Sequence, residues 1–241
     1  MKATPGSVVL VLAFAGVFAL EIVTHSVGND VALLKLGALP DNGELNGQYW
    51  RFATYSFLHF NWAHLLVNAL LILWVGRILE KRIGTALTGA IYVCSVLSSA
   101  AVILLVHSRY PKMGATVGAS GGMFGLVGAT LVLSYRDAGF LGQASRSRRW
   151  LWLALLIGLA ISFLPGVSMA GHIGGLIGGP LLATIAKVRK MPNHTMHPNR
   201  LRSHDAVIRV YDETGNVVET HEHAGEFKEP SRCVKQKAAI P

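Results

Sequence analysis

Long apolar stretches separated by short charged connectors run along the chain up to about residue 190, and beyond it the sequence turns polar. A helix needs about twenty apolar residues to cross the hydrocarbon of a bilayer. Six segments approach that length: 6–26, 61–80, 85–107, 117–135, 149–165 and 170–188. The last is interrupted by glycines, which are common where membrane helices pack closely. The pattern predicts an all-α membrane protein: a bundle of six transmembrane helices over residues 1–190 and a polar C-terminal tail over 191–241. In that tail two alternating runs flank Gly215-Asn216 between Val207 and Thr220, so the tail is expected to be either disordered or a small hairpin. The apolar run from Val8 to Val23 carries Ala13-Phe14-Ala15, the small-residue pattern of a signal-peptidase site, at its middle. Cleavage there would leave half the run attached, so a retained first helix is the better reading.

Composition sharpens this picture. The chain is 51% hydrophobic and 15% charged, with 26 glycines among its 241 residues, which is too apolar for most soluble domains of this size. Its net charge of +9 does not point to nucleic acid, because the basic residues flank apolar segments, where they meet anionic lipid and set orientation. Arg77, Lys81 and Arg82 follow the second segment, Arg136, Arg146, Arg148 and Arg149 the fourth, and Lys187, Arg189, Lys190, Arg200 and Arg202 the sixth. The alternate connectors are poorer in basic residues, which places both termini in the cytoplasm. The connector from Val27 to Leu58 is long for a structureless loop. With the residues just after it, it carries Tyr49, Trp50, Phe52, Tyr55, Phe57, Phe60 and Trp62, an aromatic set expected at the outer water–lipid boundary. Cys94 and Cys233 have no metal-ligand spacing, and the tail histidines His194, His197, His204, His221 and His223 lack a tight one. Neither a metal nor a cofactor is expected.

Polar groups are costly in hydrocarbon, so those within spans are the candidates for chemistry. His64 and Asn68 lie early in the second segment, Ser120 early in the fourth and His172 early in the sixth. These three segments run in the same direction, so the four groups fall at one depth near the outer face. A serine hydroxyl becomes a nucleophile when a neighbouring base takes its proton, and His172 is the base at suitable depth. A lone membrane serine more often bonds back to its own helix. Against that, Gly118 and Gly121 strip the bulk from around Ser120, and Gly171, Gly174, Gly175, Gly178 and Gly179 do the same near His172, so two helices can approach closely. The last three spans hold no Asp or Glu, which favours a dyad over a triad. Phe124, one turn beyond Ser120, is placed either to press on His172 or to serve as plain core. His64, Asn68 and the Ser120 N–H are the donors available to an oxyanion.

These residues resemble the rhomboid family of intramembrane serine proteases. Gly118-Ala119-Ser120-Gly121 is similar to its GxSG motif, and His59, His64 and Asn68 in HFNWAHLLVN to its second-span pattern. Gly171-His172, followed by Gly175 and Gly179, resembles the base-bearing helix, Trp50-Arg51 the Trp-Arg pair of the first loop, and Glu80-Lys81-Arg82-Ile83-Gly84 the end of the second span. The resemblance implies a six-helix rhomboid core with Ser120 as nucleophile, His172 as general base and His64 with Asn68 near the oxyanion. Its implied substrates are transmembrane segments of other proteins, cut near the extracytoplasmic face of what is expected to be a prokaryotic cytoplasmic membrane. Phe124 departs from the tyrosine frequent in bacterial members, and Gly171 from alanine. Two other readings have to be weighed: an inactive rhomboid-like protein that binds membrane clients, and a small transporter. A transporter would carry polar residues through the full depth, whereas the fourth and sixth segments become apolar below their outer turns.

Overall fold

The computed structural model describes residues 4–137, 140–141, 145–186, 206–211 and 217–223. Contacts divide the chain into two compact units, Met1–Met191 and Pro192–Pro241. In the first, six longer helices coincide with the apolar segments: α1 (Pro5–Val23), α4 (Trp62–Ile83), α5 (Thr85–Arg109), α6 (Ser120–Arg136), α7 (Ser145–Ile161) and α8 (Met169–Ile185). Three of these, α1, α4 and α5, are long and apolar enough to cross a membrane, while α6, α7 and α8 have 17 residues each. At 1.5 Å per residue, 17 residues extend about 25 Å, slightly short of the roughly 30 Å hydrocarbon core.

Local sequence explains where several helices begin. Asn61 caps α4 by accepting from the His64 N–H at 2.8 Å, and Ser168 caps α8 by accepting from the Gly171 N–H at 3.2 Å. The last carbonyls of α8 are satisfied from another helix, because the Arg136 guanidinium donates to Ala183 O at 3.1 Å and also to Thr184 O and Ala186 O. Most of α6 is buried, including an unbroken run from Gly121 to Leu131. It packs against α5 and α8, with α4 and α7 on its other sides, and α1 lies against α4. A helix so enclosed is apolar all round, as α6 is below Ser120.

The connector between α1 and α4 is built rather than slack. It contains α2 (Asp30–Leu36), strand β1 (Leu39–Pro40), α3 (Arg51–Thr54) and a 3-10 turn at Tyr55–Phe57. Strand β1 pairs antiparallel with β2 (Ala115–Thr116), just ahead of Ser120. Asp41 extends the join by accepting from Thr116 Oγ1 at 2.6 Å and facing His107 Nδ1 at 3.3 Å. The aromatic set divides: Tyr49, Trp50, Phe60 and Trp62 are exposed, whereas Tyr55 is buried and donates to Val96 O at 2.9 Å.

In the second unit, β3 (Ala206–Tyr211) and β4 (Val217–His223) form an antiparallel hairpin with Ala206 opposite His223. The Gly215-Asn216 turn, His194, His197, His204, Cys233 and the basic residues Lys187, Arg189, Lys190, Arg200 and Arg202 lie outside the described residues.

At the end of the bundle opposite Ser120, one carboxylate joins three helices. Glu80 accepts from the Ser7 N–H at 2.7 Å, the Gly6 N–H at 3.0 Å, Thr85 Oγ1 at 2.9 Å and the Ser7 hydroxyl. It thereby caps the free N–H groups opening α1 from the α4–α5 junction. Charge-assisted bonds of this kind are worth about 1.5–3 kcal/mol each. Glu80→Ala is therefore expected to lower the unfolding midpoint in detergent by several degrees, with Glu80→Gln intermediate; a thermal melt of the three proteins checks this.

Candidate active site

Ser120 opens α6, where the first N–H groups of a helix have no partner within it. The residue is half-buried, and its Oγ lies 2.9 Å from His172 Nε2 across the α6–α8 contact. His172 itself is 5% exposed. Phe124 stacks on the imidazole with ring centroids 4.1 Å apart and planes inclined by 13°. On its other side Phe124 meets α7 at Gly158, where any Cβ would stand 2.6 Å from the ring. The imidazole is held from a third direction, because Ser162 Oγ lies 2.5 Å from its Nδ1.

The approach of α6 to α8 is backbone on backbone. A methyl at Gly175 would collide with the Gly121 carbonyl, and one at Gly179 with the Gly125 carbonyl. The positions cannot be filled while Ser120 and His172 remain in hydrogen-bond contact. Gly118 has a separate requirement: its φ of +121° lies in the region open to glycine. A side chain there would also strike the His64 ring. The Gly118 N–H donates to Tyr55 O at 2.9 Å, which ties the motif to the long connector.

His64 thus packs on the backbone two residues before Ser120. Asn68, one turn further along α4, is 1% exposed, and its side-chain Nδ2 has no hydrogen-bond partner among the described residues. A buried amide donor without a partner is costly. A donor held ready for an oxygen that forms only during reaction has this character.

A family model described as the rhomboid domain matches residues 46–189, more than half of the chain. The chain belongs to the rhomboid family. RHOMBOID-like protein 5 of Arabidopsis thaliana is 32% identical over 157 residues, covering 65% of this chain and 50% of that protein. The rhomboid protease GluP of Bacillus subtilis (strain 168) is 31% identical over 163 residues, 67% of this chain and 31% of the relative. RHOMBOID-like protein 1 of Arabidopsis thaliana is 29% identical over 179 residues, 74% of this chain and 45% of the relative. The matches span half or less of these three relatives. Apolar helices and the rhomboid domain together make this an integral membrane protein.

The remaining rhomboid motif residues stand around the pair rather than in it. Trp50 and Arg51 organise the connector: the Arg51 guanidinium lies 4.7 Å from the Trp50 ring and donates to Leu34 O at 2.7 Å and Ala38 O at 2.6 Å. His59 is fully buried, with its ring 5.2 Å from that of His64 and 5.3 Å from Phe14. Its backbone N–H donates at 3.0 Å to Glu21 of α1. Two contributors were missed in the sequence. Ser162 sits in a turn, where serine is ordinary. Glu21 was set aside because it lies on a helix remote from Ser120 in the chain, yet it anchors the connector beside His64.

Burial, followed by the nearby His64, pushes the His59 imidazole down to about 3, well below an ordinary histidine. The unfolded chain therefore binds a proton that the folded chain refuses between about pH 6.5 and that value. Folding stability from this group is complete above about pH 6.5 and falls as the pH drops through the window, by up to about 1.4 kcal/mol per pH unit. Melting curves from pH 7 to pH 4 are expected to fall more steeply for the wild type than for His59→Gln.

Proposed function

We propose that this protein is an intramembrane serine endopeptidase that hydrolyses a peptide bond in or near the transmembrane segment of membrane-protein substrates. The observation that carries the reading is the 2.9 Å contact between Ser120 Oγ and His172 Nε2, with Phe124 stacked on the imidazole. Membership of the rhomboid family and the similarity to the rhomboid protease GluP support it at family level.

In this mechanism Ser120 Oγ attacks the carbonyl carbon of the scissile bond while its proton passes to His172 Nε2. The oxyanion that forms is met by the Ser120 N–H, the Asn68 side-chain amide and His64, groups already placed around Gly118. Collapse of the tetrahedral intermediate expels the amine, which takes the proton from Nε2. A water then attacks the acyl-enzyme, His172 removes its proton, and Ser120 is released. Loss of one oxyanion donor costs roughly a hundred to a thousandfold in rate in other serine proteases.

The reading includes six spans with both termini in the cytoplasm. Lys81, Arg82 and Arg136 lie at the ends of α4 and α6 opposite the Ser120 end, which under the positive-inside rule turns the site to the extracytoplasmic face, here of a prokaryotic cytoplasmic membrane. Substrates are helices of other membrane proteins. A helix must unwind before a backbone carbonyl reaches Ser120, so segments carrying glycine or proline near the cut are favoured.

The test is cleavage of a tagged single-span protein in liposomes by the wild type, Ser120→Ala and His172→Ala. The expected result is cleavage by the wild type and a loss of at least a thousandfold in each variant. Equal cleavage by all three would assign the activity to another nucleophile. A wild type that binds but never cuts a panel of such substrates would favour a client-binding rhomboid-like protein.

A further inference from the structure

One hydrogen bond at His172 has no role in a two-residue account. Ser162 follows the last residue of α7, is 5% exposed, and places its Oγ 2.5 Å from His172 Nδ1 and 2.8 Å from Gly158 O. A hydroxyl carries one proton and a carbonyl can only accept. Two arrangements exist. If Ser162 donates to Nδ1, its oxygen lone pairs face the Gly158 carbonyl across 2.8 Å, and the ring proton moves to Nε2, where it points at Ser120. If Ser162 donates to Gly158, its lone pair accepts from Nδ1–H, and Nε2 keeps the free lone pair that faces Ser120. Only the second pairs the Gly158 carbonyl, the hydroxyl and the imidazole together, and only the second leaves a base beside the nucleophile.

We propose that Ser162 is a positioning residue that fixes His172 in its Nδ1-protonated tautomer, making the unit Ser120–His172–Ser162 closed by the Gly158 carbonyl. The proposal deepens the peptidase reading and rests on it. No proton leaves Nδ1 during the reaction. When Nε2 takes the Ser120 proton, the imidazolium keeps donating through Nδ1–H to Ser162 Oγ, and the Ser162 proton stays on Gly158 O. A neutral hydroxyl suits this place, because a carboxylate in the same apolar setting carries a large desolvation penalty. The contact also spans two elements, from the end of α7 to α8, so it complements the stacking of Phe124 from α6. Stacking fixes the plane of the ring; the Ser162 bond fixes its rotation within that plane and its tautomer.

The experiment uses the full chain in liposomes. Ser162→Ala removes the hydroxyl and Ser162→Thr retains it. Ser162→Ala is expected to lower kcat about tenfold, the worth of one neutral hydrogen bond, with KM and the melting midpoint unchanged. Ser162→Thr is expected to restore most of the rate. Nitrogen-15 spectra of histidine-labelled protein, with the His172 signals identified by their loss in His172→Ala, are expected to show Nδ1 protonated in the wild type and a mixture of tautomers in Ser162→Ala. A wild-type His172 protonated at Nε2, or a folded Ser162→Ala variant with kcat within twofold of wild type, overturns the proposal. If the wild type proves unable to cleave, the peptidase reading fails, and the spectra alone decide whether Ser162 sets the tautomer.

Discussion

The approach of α6 to α8 through paired glycines is the constraint on which the site depends. Gly175 lies on the Gly121 carbonyl and Gly179 on the Gly125 carbonyl, with no room for a side chain at either contact. Helices in lipid gain little from burying apolar surface against each other, so their association rests on close van der Waals packing and hydrogen bonds. Here the packing does chemical service, since Ser120 and His172 sit at one end of the same seam. A separation wider by the thickness of one methyl group would take the 2.9 Å contact out of hydrogen-bond range.

Around that seam each polar group has a specific means of support. His172 is stacked by Phe124, which is backed by Gly158, and bonded by Ser162, which turns back to the same Gly158. The motif carrying Ser120 is tied through Gly118 to Tyr55, and Tyr55 in turn to α5. The long connector is held by Arg51 from within and by Glu21 from α1. A buried charge on a membrane helix is expensive. The two carboxylates in α1 and α4, Glu21 and Glu80, are both spent on backbone N–H groups at places where separate elements meet.

Much of this was legible in the chain, and the reasons are physical. The period and length of apolar runs gave the helices, because hydrocarbon imposes both. The reasons to look at Ser120, His172, His64 and Asn68 were equally legible, since a polar group within an apolar run demands an explanation. The i, i+4 relation placed Phe124 on the Ser120 face of α6, though not whether it would meet His172. What was hidden depended on chain crossings. Ser162 is a turn serine whose partner lies ten residues on and in another helix, and Glu21 acts on His59 across a long connector. The order within that connector was also hidden, because its short helices and two-residue strand are stabilised by tertiary bonds rather than by their own periodicity. The search for a third member considered acids, and a hydroxyl escaped it.

The most direct test of the central claim, that His172 activates Ser120, is the labelling rate of the protein with a fluorophosphonate, the modified residue being located by mass spectrometry. The account requires a single phosphonylated residue, Ser120, with labelling slowed at least a hundredfold in His172→Ala while that variant remains folded. Labelling at another residue, or equal labelling of Ser120 with and without His172, would contradict it.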